Sequence, residues 1–134
     1  MAMTLSPGVR RLFEAPNFAH LATLMPDGSP QVSPVWVDID GDRILVNTAE
    51  GRAKPRNVRR DPRVAISITD RSNHYSAALI RGRVVEITHE GADELIDKLA
   101  KKYIGQDRYP WRRPEERRVT LVIEPEHVTS SVED

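Results

Sequence analysis

Residues 30–63, PQVSPVWVDIDGDRILVNTAEGRAKPRNVRRDPR, decide how this chain folds. Within Pro30–Ile39, Val35, Val37 and Ile39 fall on one face and Trp36 and Asp38 on the other, the two-residue period of a half-buried strand. Asp40-Gly41-Asp42 is a tight hairpin signal of the Asp-Gly type, and Arg43–Thr48 (RILVNT) is the returning strand. After Gly51 the pattern changes. A short helix is expected over roughly Lys54–Arg60, with Pro55 tolerable in its first turn and Pro62 stopping it.

Outward from this block the chain reads as mostly β. Phe18–Leu24 is a strand, followed by a turn at Pro26-Asp27-Gly28-Ser29. Val64, Ile66 and Ile68 alternate with Ala65, Ser67 and Thr69 in a half-buried strand. Tyr75–Ile87 is a longer strand in which Gly82 marks a bulge or bend. Ala92, Leu95, Ile96, Leu99, Ala100 and Tyr103 fall at helical spacing, so residues 92–103 form an amphipathic helix. A loop rich in Pro, Trp and Arg follows (Gln106–Glu116). Arg118–Glu124 is the last strand, with Val119, Leu121 and Ile123 inward. Six strands joined by short turns and helices predict a closed or nearly closed six-stranded antiparallel barrel, because closure removes exposed sheet edges. No repeat, low-complexity tract or linker divides it, so residues 1–134 are expected to form a single domain.

Twenty basic and twenty acidic residues leave the chain formally neutral, which argues against bulk nucleic-acid binding. There is no cysteine, so disulfides, thiolate catalysis and Cys-ligated metals are excluded, in keeping with a reducing cytoplasm. No apolar run approaches the roughly 18 residues of a membrane span, and no membrane partner is expected.

The charge is unevenly distributed. Gly51–Arg63 holds Arg52, Lys54, Arg56, Arg59, Arg60 and Arg63 against one acid, Asp61. A basic cluster at a strand-to-helix junction suits an anion, since cations and open helix N–H groups converge there. A solvated basic helix face is the plainer reading of the same residues. Other chemistry finds little support. His20, His74, His89 and His127 are scattered without ligand spacing, so no metal site is expected. There is no Gly-x-Ser-x-Gly elbow, and Asp38, Asp40 and Asp42 lack the Glu that a calcium loop requires. The glycines are too dispersed for a phosphate-binding loop.

The order of elements, with Pro30–Trp36 (PQVSPVW) and above all Arg52–Arg63 (RAKPRNVRRDPR), resembles the split β-barrel flavin- and deazaflavin-binding proteins related to pyridoxamine 5′-phosphate oxidase. Within them it is similar to the small actinobacterial enzymes that use coenzyme F420, an 8-hydroxy-5-deazaflavin. The resemblance covers roughly residues 10–128. It implies an FMN-binding split barrel working as a homodimer, with cofactor in grooves between subunits. It further implies that Gln31, Ser33, Pro34, Val35 and Trp36 pass along the tricyclic ring. The segment Asn47–Asn57, with Thr48, Ala49, Arg52, Lys54, Arg56 and Asn57, would hold the ribityl phosphate, Arg52, Lys54 and Asn57 being most involved. Arg56, Arg59 and Arg60 form an extra basic surface suited to the acidic tail of the deazaflavin. Trp111 either anchors its loop on the barrel or caps a ring in the partner's site.

Three functions follow from that resemblance: an F420-dependent oxidoreductase moving hydride to an organic acceptor, an FMN-dependent oxidase or reductase, and a non-catalytic carrier. A groove lined by Trp36, Tyr75 and Trp111 would suit a planar quinone, enone or tetrapyrrole. No catalytic proton donor stands out, Tyr75 being the nearest candidate. Vitamin B6 oxidation is not expected, because nothing near the C-terminus matches the pyridoxal-phosphate-binding Arg and His set.

Overall fold

The computed structural model describes residues 3–133. Helix α1 (Pro7–Glu14) is followed by strands β1 (Ala19–Leu24), β2 (Pro30–Val35), β3 (Val37–Asp40) and β4 (Arg43–Ala49). Then come α2 (Ala53–Arg60), β5 (Arg63–Asp70), β6 (Asn73–Thr88), α3 (Ala92–Ile104) and β7 (Arg118–Ser130). All strand pairs are antiparallel, in the order β2-β1-β5-β6-β7-β4-β3.

The sheet has seven strands rather than the six expected, and the difference lies at one residue. Pro30–Ile39 is not continuous: it breaks at Trp36, so β2 pairs with β1 while β3 pairs with β4. The two outermost strands of the order are therefore one stretch of chain. The sheet curls until its edges meet around Trp36, giving a mainly β split barrel. The break is held from outside by α3: Lys102 Nζ donates to the Val37 carbonyl at 2.7 Å, and Val37 N–H donates to the Tyr103 hydroxyl at 3.1 Å.

Alternation fills the interior. Val64, Ile66 and Ile68 on β5, Ile44 and Val46 on β4, and Leu121 and Ile123 on β7 are buried in one cluster with Leu21, Val37 and Ile80. Helix α1, which the charge-rich N-terminus did not announce, packs on β3, β5 and β6. Ser6 caps it through a bond from Val9 N–H, Pro7 occupies its first turn, and Leu12 and Phe13 enter the core. Asp42 ties it down, accepting from Arg10 Nη2 at 2.6 Å and from Leu5 N–H at 3.0 Å.

Strand β7 runs to Ser130, six residues past the expected end, because β6 is long enough to pair with it from Thr120 to Ser130. The ladder shifts register at Gly82, where the bulge was expected. Gly82 lies opposite Pro125, which has no N–H to donate, and a Cβ on Gly82 would collide with the Glu124 carbonyl oxygen. Among the described residues no helix is long and apolar enough to cross a membrane. Nor do three or more His, Asp or Glu gather as they would around a metal ion.

Candidate functional site

Where β4 ends and α2 begins, the chain passes from buried Thr48 and Ala49 through Gly51, which adopts φ 88°, a left-handed conformation suited to glycine. Arg52 takes the N-cap position of α2 but makes no side-chain cap bond. The first-turn N–H groups are thus left without the usual acceptor, and the helix dipole is open to an anion. In α1 the equivalent position is filled by Ser6.

Beside this helix start lies a cavity of about 250 Å³. One wall carries Arg52, Lys54 and Arg118; another carries Trp36, Tyr109 and Trp111. Phe18, Pro34, Val35, Asn47, Thr48 and Ile96 complete it. The Lys54 ammonium makes no hydrogen bond or ion pair with another described residue. Burial, reinforced by the neighbouring Arg52 charge, holds its ammonium below the usual lysine range. Arg52 Nη2 donates to Glu116 Oε1 at 2.9 Å. The Thr48 hydroxyl is buried without a hydrogen-bond partner, as is the Nε of Arg118.

The aromatic wall is built from three elements. Trp36 stacks on Tyr103 of α3, with centroids 5.3 Å apart and planes 4° from parallel, and meets Tyr109 edge-on at 6.1 Å. Trp111 lies 6.4 Å from Trp36 and 5.6 Å from Tyr109. The loop carrying Tyr109 and Trp111 is strapped to α3. Asp97 accepts from Tyr109 N–H at 2.8 Å and from Arg112 Nη2 at 2.5 Å, and Asp93 accepts from Arg112 Nη1 at 3.2 Å. Trp111 therefore sits over the cavity of its own subunit.

Of the residues anticipated here, Pro34, Val35, Thr48, Arg52, Lys54 and Trp111 converge on the cavity, and Ala49 is buried opposite Arg118 in the β4–β7 ladder. The others are placed elsewhere. Gln31 accepts from the Thr23 hydroxyl across the β1–β2 pair, and the Ser33 hydroxyl is buried without a partner away from the cavity lining. Arg56 is exposed and donates to the Gly51 carbonyl at 2.7 Å. Asn57, expected near the phosphate, is not among the residues lining the cavity. Its amide turns inward to Thr23 Oγ1 at 2.9 Å and accepts from Arg60, bracing α2 on β1.

The basic surface of α2 is also less free than its composition suggests. Arg59 binds both oxygens of Glu50, at 2.6 and 2.7 Å, and His89 Nε2 reaches Glu50 Oε2 at 2.6 Å. Arg59 first, with His89, holds the Glu50 carboxyl down to about 2. Tyr75 is 89% exposed and lines a separate depression beside α1, so within one subunit it does not join Trp36 and Trp111. Asn47, at the start of the segment expected to hold the phosphate, also lines the cavity, whereas Phe18, Ile96, Tyr109 and Arg118 were not anticipated. For Arg118 a signal existed: strict alternation with buried Val119 sends it off the core face, towards whatever α3 and its loop enclose.

The sequence profile of the pyridoxamine 5′-phosphate oxidase family matches residues 5–131. The chain belongs to that family. A solved structure named F420 reductase is 32% identical to it over 93% of this chain and 98% of its own, with a TM-score of 0.81. HupZ of Group A Streptococcus (20% identity, 96% and 94% coverage, TM-score 0.69) shares the fold. So does the protein Rv2991 of Mycobacterium tuberculosis (22%, 96% and 85%, TM-score 0.69). A phosphorylated flavin-type cofactor fits the residues present. Three cations face one carboxylate, a buried hydroxyl and a buried guanidinium N–H lack partners, and the aromatic wall can cover a ring. At about 250 Å³ the cavity is smaller than a site that encloses a whole ligand of that size, so it would hold one end of the molecule.

Proposed function

We propose that this protein is an oxidoreductase that uses the reduced deazaflavin coenzyme F420 to transfer hydride to a planar conjugated acceptor of the quinone, enone or tetrapyrrole class. The observation that carries this reading is Lys54: a half-buried ammonium without a counter-ion, beside Arg52 at an uncapped helix start, in the cavity that also holds the aromatic wall. Such an arrangement favours a phosphate at one end and a flat ring system beyond it. The likeness to the F420 reductase structure supports the choice of cofactor.

When bound, the cofactor supplies the hydride; the protein's part is position and exclusion of water. Lys54, Arg52 and the first-turn N–H groups of α2 bind the phosphate. Pro34 and Val35 supply a small, rigid edge against which a ring can lie. Trp36, Tyr109 and Trp111 shield it from solvent. Because the cavity encloses only part of such a ligand, the site is completed across a homodimer, whose second subunit closes the groove.

One observation favours FMN in the same site. Arg59 is committed to Glu50, so one positive charge fewer remains for an acidic tail than the sequence promised. Titration with the deazaflavin and with FMN, followed by fluorescence, separates the two. Reduced deazaflavin incubated with quinone and enone acceptors then tests turnover. Tight binding with no turnover on any acceptor would leave the carrier reading; FMN binding tighter than deazaflavin binding would replace the cofactor assignment.

A further inference from the structure

Arg118 opens β7, and its side chain is only 4% exposed. Its pairing is poor for a buried charge. Nη1 reaches Asn47 Oδ1 at 3.4 Å, Nη2 stands 3.4 Å from Glu116 Oε2, and the guanidinium lies 4.8 Å from the Tyr109 ring centroid. Nε has no hydrogen-bond partner, and neither has Glu116 Oε2, for which the 3.4 Å approach is an ion pair without hydrogen-bond geometry. A guanidinium taken out of water with a donor unmet is costly unless something else meets it. Arg118 lines the same cavity as Arg52 and Lys54.

Glu116 lies between two of these cations, with Oε1 on Arg52 at 2.9 Å and Oε2 facing Arg118. Three cations and one carboxylate leave two net positive charges, a surplus that suits an anionic phosphate group. We propose that Arg118 is a third ligand-holding cation of this cavity, donating Nε–H to an anionic phosphate oxygen, with Glu116 as the counter-ion that keeps Arg118 and Arg52 apart. Arg118 thus joins the phosphate end of the cavity to its aromatic wall, because its guanidinium lies against Tyr109. The inference rests on the cofactor-site reading only for the identity of the ligand. Its anion chemistry can be tested without any flavin.

Pyrophosphate is the cofactor-free probe, titrated calorimetrically at low salt into the wild type, Arg118→Gln and Glu116→Gln, with FMN and the deazaflavin titrated in parallel. Arg118→Gln should weaken pyrophosphate binding by about tenfold or more, the loss expected for one charge-assisted contact. Glu116→Gln should tighten it by about two- to tenfold, because a like charge beside the anion is removed. A purely structural Arg118 gives a different pattern: both variants melt earlier and neither changes affinity in the folded protein. The proposal is overturned if Arg118→Gln leaves pyrophosphate affinity unchanged, if Glu116→Gln weakens it, or if the wild type binds no pyrophosphate. Should Arg118→Gln fail to fold, Glu116→Gln alone decides: tightening supports the proposal, and no change or weakening overturns it. Pyrophosphate binding that responds as expected in a protein that takes up neither flavin nor deazaflavin would sustain this inference while removing the proposed function.

Discussion

At the scale of single residues, the basic run divides by partner rather than by charge. Arg59 and Arg63 are neutralised by Glu50 and Asp61, and Arg52 shares Glu116, whereas Lys54 has no acid of its own. Lys54→Ala should therefore weaken cofactor binding by about ten- to a hundredfold, the equivalent of roughly 1.5–3 kcal/mol, and leave the melting temperature unchanged. Titration of wild type and variant with the deazaflavin measures it; unchanged affinity would remove the phosphate assignment. Gly82 gives the opposite kind of prediction, large in stability and remote from the cavity. An alanine methyl there meets the Glu124 carbonyl, which is backbone and cannot swing aside. Gly82→Ala should cost about 1–3 kcal/mol, the range for forced overpacking, read as a fall in the denaturant midpoint. That position was legible in advance because a glycine interrupting a strand pattern has few reasons to be there. The inward turn of Asn57 was not, because nothing local distinguishes an amide that braces a helix from one that binds a ligand.

At the scale of elements, the strands were readable wherever only one face is buried. Val64, Ile66 and Ile68 alternate in sequence and in the structure alike. In β7 alternation put Val119, Leu121 and Ile123 inward, as they are, but fell short where both faces are covered: Arg118, Thr120 and Val122 are buried as well, on the side of α3 and its loop. It failed also at Trp36, where the break depends on contacts from α3 that are 66 residues away in sequence. Those contacts carry a pH signature. Burial pushes the Lys102 ammonium down to about 8 and the Tyr103 hydroxyl up to about 12. Between about pH 8 and 10 the unfolded chain keeps the Lys102 proton that the folded protein has released, so stability should rise with pH. Above about pH 10 the unfolded chain loses the Tyr103 proton that the folded protein retains, and stability should fall towards pH 12. Denaturant midpoints across pH 7 to 12 test both limbs. Lys102→Met should abolish the rise and keep the fall; a rise that survives in the variant would assign it to another group. The strap on α3 yields a local test. Arg112→Ala removes its bonds to Asp93 and Asp97, and acrylamide quenching of Trp111, isolated in a Trp36→Phe background, should increase without a change in far-ultraviolet circular dichroism.

At the scale of the whole molecule, the cavity and the outer sheet surface have to be considered together. Val32 is 63% exposed and Leu79 55%, and both line a shallow apolar bay on the outside of the barrel with Ala22 and Ala65. Single exposed apolar residues are ordinary; two large ones together in a bay on one sheet face suit the second subunit proposed above. The bay is continuous with the proposed site. Val32 and Pro34 project from the same face of β2, and Pro34 lines the cavity. A second subunit seated on Val32 and Leu79 would extend over the cavity mouth, where Phe18 and Trp111 are each 59% exposed. Association and cofactor binding should then fail together. Val32→Asp places a charge where the partner would bury it, while the subunit's own core is untouched because the side chain already faces solvent. Sedimentation velocity should show a dimer for the wild type and a monomer for the variant, with the far-ultraviolet spectrum retained. Deazaflavin affinity should drop by at least about tenfold in the monomer, since part of the ligand loses its cover. A monomeric variant that binds cofactor as tightly as the wild type would show that each subunit holds its ligand alone, and that the small cavity encloses more of the ligand than its volume implies.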